Sequence, residues 1–193
     1  MLSEMFYKLW NNGLIQLGVW ETIYMTLISS AIAYVIGLPL GVILSVTDAN
    51  GIRPTPWVNR TLGFVVNFFR SIPFIILMVA MLPVAKFIIG TSLGNGAVIA
   101  AAPYVARMVE SSVKEVGFGV IEAAQSMGCT NMQIVTHVLL PEAKPALIQG
   151  AVISMVTILG YSAMAATIGG TGLGQIAIIY GHQRSNDDIT WIC

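Results

Sequence analysis

The chain has 193 residues, 56% of them hydrophobic and 9% charged, with a formal net charge of zero. Soluble domains carry about a quarter charged residues, so this composition cannot cover a water-facing surface and marks an integral membrane protein of a handful of spans. The balanced charge argues against a nucleic-acid ligand, and Cys129 and Cys193 have neither metal-ligand spacing nor disulfide logic, so both read as unpaired reduced thiols.

Residues 1–21, MLSEMFYKLWNNGLIQLGVWE, carry acids and Asn where a signal peptide has a clean apolar run and a small-residue cleavage site. The segment therefore reads as retained, with Trp10 and Trp20 marking a helix at the membrane interface. Thr22 to Val46 is uncharged and long enough to span. Within it Ser29, Ala33, Gly37, Gly41 and Ser45 recur at every fourth position, which puts small residues on one helix face for close approach of another helix. Pro39 predicts a kink, because it lacks an N–H and clashes with the preceding turn.

DANGIRPTPWVNR, residues 48–60, is a turn-rich connection with two arginines. A second apolar run, Thr61 to Ala85, is interrupted by Arg70. If one straight helix holds Arg60 and Arg70, the latter lies ~15 Å deep and faces a polar cavity or the bundle interior. If Thr61 to Phe69 instead follows the interface and Ser71 to Ala85 spans, Arg70 snorkels. The third run, Phe87 to Ala106, opens on a loop-like GTSLGNG that leaves its apolar part short for a span.

A polar segment, Arg107 to Lys144, follows and contains EAAQSMGCTNMQIVTHVLLPE. Val120 to Met127 suits a short helix, with Ala123 and Ala124 offering a small surface. Gly128 supplies a left-handed stop. Thr130 and Gln133 match a capping box that starts a second helix, and Pro141 closes it. Such a helix–Gly–helix unit is too small to bury itself and needs a docking surface. Its own membrane domain and a partner are both open as that surface. The fourth uncharged run starts at Pro145 and continues past Tyr180, ending in IGGTGLGQIA. The glycines lack the Lys and Ser/Thr of a phosphate-binding loop and read as a flexible turn at the outer face. The tail HQRSNDDITWIC turns apolar over its last residues.

Arg53, Arg60, Arg107, Lys114 and Lys144 fall on one side of this layout and Lys8, Lys86 and Arg184 on the other. The positive-inside rule then places the N-terminus outside and the polar segment in the cytoplasm. No catalytic constellation is visible. GYSAM lacks the final Gly of a nucleophile elbow, His137 reads as a surface residue, and Glu122 supports the loop or a subunit contact rather than acid chemistry.

The pattern Glu122-Ala123-Ala124-x-x-x-Gly128, followed by Ile134 and Leu140-Pro141, is similar to the EAA loop of ABC importer permease subunits. That resemblance implies an all-α, polytopic helical bundle, the type I importer permease core, spanning residues 22–193 with its EAA loop at 107–144. It also implies coupling helices that sit in a groove of a separate ATPase subunit, so the chain binds no ATP or other cofactor itself and is not an enzyme. Glu122, Ala123, Ala124, Gly128, Ile134, Leu140 and Pro141 become the coupling candidates.

NFFRSIPFIILM, AAPYVARMVE, the loop itself, GYSAMAATIGGTGLGQIA and Tyr180-Gly181 resemble the methionine-type members of the family, from about Trp20 onward. The implied function is the pore-forming subunit of an importer of D- and L-methionine in the bacterial inner membrane. Its implied partners are two ATPase copies, an extracytoplasmic substrate-binding protein and the lipid bilayer. Four or five helices are few for enclosing such a path, so two copies of the chain around an axis complete it. The Arg70-Ser71-x-Pro73 motif is typical of the family, and Arg70, Ser71, Pro73, Ser162 and Met164 are the pathway or gate candidates. From the residues alone Ser162 and Met164 read as helix packing, Met164 being a gate candidate by resemblance only, and ten methionines do not by themselves indicate a methionine ligand. The chain departs from the family in a region, Gly94 to Ala101, several residues short, and in a last transmembrane helix that does not follow Cys193. A permease for another amino acid or an alkanesulfonate, and a non-functional fragment, stay open as alternatives.

Overall fold

The computed structural model describes residues 7, 10–89, 96–183 and 189, with the side chains of all but 85, 88, 89 and 96–99. The first two residues of the shortened region Gly94 to Ala101, most of GTSLGNG and most of the C-terminal tail, Cys193 included, lie outside the described residues.

Every regular element among the described residues is helical. α1 (Leu14–Thr47) is a single helix of 34 residues that begins eight residues ahead of Thr22 and continues through Pro39. α2 (Pro56–Ser71) and α3 (Phe74–Ile89) follow, then α4 (Gly96–Lys114) and α5 (Phe118–Ser126). α6, residues 131–142, is continuous but widens to a π-turn over Ile134–Leu139. α7 (Lys144–Ala165) ends in a 3-10 turn, and α8, residues 173–182, is a short helix that also widens to a π-turn, at Ile176–His182. By length and hydropathy, Leu14–Thr47 and Lys144–Ile168 can each cross a membrane unaided.

Two breaks fall where the sequence allowed them, and one boundary differs from expectation. The run Thr61 to Ala85 is two helices, because Ile72, preceding Pro73, is extended (φ −79°, ψ 132°), as steric contact with a proline ring demands. Arg60 and Arg70 share α2, but that helix stops one residue after Arg70. Residues 107–114 continue α4 instead of beginning a loop. The fourth run is divided within the glycine-rich stretch read as a turn, at Gly169–Gly172.

The described residues fall into two compact units. The first comprises Met1–Ile32, Pro73–Ala101 and Met155–Cys193. Ile15, Ile176 and Ile189 form its buried cluster, with Leu14 and Tyr180 packed against it. The glycine-rich turn is part of this packing and is not the flexible connection expected. Gly172 has φ 103°, and a Cβ there would sit 2.6 Å from Thr22 Oγ1. That hydroxyl accepts the Leu173 N–H at 2.9 Å and thereby caps the start of α8.

The second unit comprises Ala33–Ile72 and Ala102–Ser154. Its centre is the small-residue ladder. Ala33 is fully buried, and Cβ atoms at Gly37 and Gly41 would fall 2.7 Å from Val105 Cγ1 and 2.6 Å from Val109 Cβ. In lipid no hydrophobic force drives helices together, so this close backbone approach is what allows van der Waals contact between α1 and α4. Leu44, Val66 and Ala106 extend the core to α2. The last carbonyls of α1 are satisfied locally: Arg53 N–H donates to Val46 at 3.0 Å, Thr55 N–H to Thr47 at 3.1 Å, and Asn59 Nδ2 to Leu44 at 2.7 Å.

Candidate functional site

The second unit contains the helix–Gly–helix segment, and each of its features has a local cause. α5 ends in a Schellman arrangement: Gly128 N–H donates to Gln125 at 2.9 Å and Cys129 N–H to Ala124 at 3.2 Å, with Gly128 at φ 80°. α6 starts with the anticipated capping box. Thr130 Oγ1 accepts the Gln133 N–H at 3.4 Å, and Gln133 Oε1 accepts the Thr130 N–H at 2.8 Å. Pro141 does not close α6, which runs on to Glu142. A proline removes one N–H donor and forces its ring toward the carbonyl four residues back. Here the turn before it is widened to the π register, and the chain passes through.

The two helices pack on one another. Ile121 and Ala124 from α5, and Ile134 and Leu139 from α6, are buried. The coupling candidates therefore divide into two sets. Ala124 and Ile134, 1% and 0% exposed, hold the hinge together from inside. Glu122, Ala123, Gly128 and Pro141 are exposed, with Leu140 half-buried. Phe118, Val120, Met127 and Met132 are exposed alongside them, Met127 at 76% and Met132 at 71%. An outer face this apolar on a polar segment is suited to covering by another surface.

Beneath the hinge lies a charge network that the sequence reading missed. Glu110, buried on α4, pairs with Arg107 three residues earlier and with Lys114 four residues later, the latter at 2.9 Å. Lys114 Nζ reaches Asp48 beyond the end of α1 at 2.7 Å. Arg107 Nε donates to Asn67 Oδ1 on α2 at 3.1 Å. One buried carboxylate thus links α4 to the α1–α2 connection and to α2. Its hydrogen bond from Lys114 holds the Asp48 carboxyl below the ordinary range, against a smaller opposing effect of burial. Burial alone would lower the Lys114 ammonium, but the carboxylates of Asp48 and Glu110 outweigh it and hold it above its usual value. The i, i+3, i+7 spacing of Arg107, Glu110 and Lys114 at the polar end of an apolar helix was the available signal. A cavity of about 420 Å³ adjoins this network, walled by Asp48, Lys114, Ile121 and Leu139 among others.

The pathway candidates divide between the two units. Arg70 and Ser71 are exposed at the end of α2 in the second unit, with Ser71 Oγ donating to Asn67 O at 2.9 Å. Pro73, Ser162 and Met164 belong to the first unit. Ser162 donates to Leu159 O at 2.7 Å and lines a small cavity with Thr26, Ser29, Phe74 and Tyr161. The rings of Phe74 and Tyr161 stack there with centroids 3.7 Å apart. Met164 is 47% exposed, and Thr26 Oγ1 is buried without a hydrogen-bond partner.

Residues 37–192 match the family described as binding-protein-dependent transport system inner membrane component. The chain is 49% identical over 179 residues to a probable D-methionine transport system permease protein of Vibrio cholerae, covering 90% of this chain and 80% of that one. It is 51% identical over 152 residues to the D-methionine transport system permease protein MetI of Escherichia coli K12, covering 76% and 70%. Among solved structures it is similar to an inward-facing conformation of the MetNI methionine ABC transporter, with a TM-score of 0.85 and 47% identity over 91% of this chain and 85% of that one.

Proposed function

Because the chain belongs to the binding-protein-dependent transport system inner membrane components, we propose that it is the permease subunit of an ATP-driven importer that carries D- and L-methionine into the cytoplasm. The observation that carries the substrate is the identity of about half over most of the chain to permeases named for D-methionine. In this reading two copies enclose the path, a substrate-binding protein delivers methionine on the outer side, and the hinge of α5 and α6 faces the cytoplasm. Two ATPase subunits engage the hinge, and ATP is hydrolysed on those subunits rather than on this chain.

The mechanism is alternating access. Closure of the ATPases pushes the exposed Glu122, Ala123 and Pro141 and the half-buried Leu140, while Ala124 and Ile134 keep α5 and α6 moving as one body. Binding energy spent at one site thereby biases a two-state element elsewhere. Arg70, Ser71, Pro73, Ser162 and Met164 serve as the pathway and gate side chains. The test is uptake of labelled D- and L-methionine by vesicles holding this chain with its ATPase and binding protein. Methionine should accumulate only with ATP and binding protein present, and selective uptake of another solute overturns the assignment.

A further inference from the structure

A groove of about 440 Å³ runs along the first turns of α2, walled by Pro56, Trp57, Arg60, Thr61 and Phe64. These positions recur at three- and four-residue intervals, so they share one helix face. The face is aromatic and open: Trp57 is 85% exposed and Phe64 69%. Its one charge is Arg60, which has no carboxylate partner among the described residues, whereas Arg107 and Lys114 are both paired. Asp48, the acid of the 48–60 connection, is already engaged by Lys114, which leaves Arg53 and Arg60 uncompensated.

We propose that this groove binds an anionic phospholipid, with the phosphate on Arg60 and the acyl chain against Trp57 and Phe64. The guanidinium supplies parallel donors that match phosphate oxygens. Indole rings settle at headgroup depth, and juxtamembrane arginines are drawn to anionic leaflets. A soluble anion would satisfy Arg60 but would have no use for two exposed aromatic walls. A second copy of the chain is disfavoured by charge, since a two-fold contact brings the same patch together and sets Arg60 against Arg60.

The test uses the full chain, purified with its ATPase and incubated with phosphatidylglycerol or phosphatidylcholine, with retained lipid counted by native mass spectrometry. Phosphatidylglycerol should be retained several-fold over phosphatidylcholine. The preference should be lost in Arg60→Gln, kept in part in Arg60→Lys and kept in full in Lys144→Gln. One molar salt should weaken it in the unmodified chain, which keeps the test independent of any variant's folding. Equal retention of the two lipids, or an unchanged preference in Arg60→Gln, overturns the proposal. So does displacement of the lipid by inorganic phosphate alone, or disulfide cross-linking of two copies through Trp57→Cys.

Discussion

Gly41 shows how little room the second unit leaves at the residue scale. A Cβ there would lie 2.5 Å from the Ala106 carbonyl oxygen and 2.6 Å from Val109 Cβ, both on a facing helix that cannot give way by a side-chain rotation alone. Overpacking of this kind costs about 1–3 kcal/mol, so Gly41→Ala should lower the melting temperature of the detergent-solubilised protein. Gly160 on α7 has nothing within 4 Å of its Cβ position, and Gly160→Ala should leave the melting temperature level or raise it, since Ala is favoured over Gly in helices by up to about 1 kcal/mol. Equal losses at both sites would show that the ladder is not a packing seam.

The charge network makes a separate prediction at this scale. Asp48 is held below its ordinary carboxylate value in the folded protein, so the unfolded chain binds its proton more readily. Its contribution to stability is therefore fully present above about pH 3.9, the unfolded value, and is lost as pH falls through the lower folded value. Lys114 is raised, so its contribution is fully present below about pH 10.4 and is lost as pH climbs through the folded value. Melting curves of the native chain and Asp48→Asn should differ by a constant amount between these limits and converge in acid. Glu110→Gln removes the buried partner of two cations, one of them Lys114 with a 43% exposed side chain. Water then shares the cost, which should be about 2 kcal/mol, below the roughly 3–5 kcal/mol of a fully buried pair.

At the scale of the element, the α5–α6 hinge is set by its own residues. Thr130→Ala removes the hydroxyl that accepts the Gln133 N–H, a change worth about 1 kcal/mol. Faster amide hydrogen exchange should appear over the first turn of α6 and leave α7 unchanged. This locality is why the hinge was legible in the sequence: Gly128 at φ 80° and the Thr130–Gln133 pair act within five residues of one another. The ladder was legible for a similar reason, because period four on a helix fixes a face before its partner is known. The rest depended on distant contacts. Nothing near Pro141 announces the widened turn of Ile134–Leu139 that lets α6 continue past it. GGTGLG read as flexible because its packing partner, Thr22, lies some 150 positions earlier in the chain. Asp48 and Lys114 are likewise joined only by the fold.

For the whole molecule, the question is whether the hinge transmits force. Gly128 stands clear of its neighbours, with nothing within 4 Å of where a Cβ would be, so Gly128→Val introduces no clash. Its cost is conformational: an L-residue at φ 80° pays about 1–2 kcal/mol, more for a β-branched one, and the turn relaxes toward negative φ. That changes the angle between α5 and α6 while the distant packing of Gly37 and Gly41 on α4 stays in place. In vesicles containing the chain with its ATPase and binding protein, Gly128→Val should let ATP hydrolysis continue while uptake falls about tenfold, the size of effect that a coupling loss of about 1.4 kcal/mol produces. Gly128→Asn, which tolerates the left-handed conformation, should restore most of the uptake. An unchanged number of substrate molecules moved per ATP in Gly128→Val would show that the hinge is a structural turn and that force reaches the membrane helices by another route.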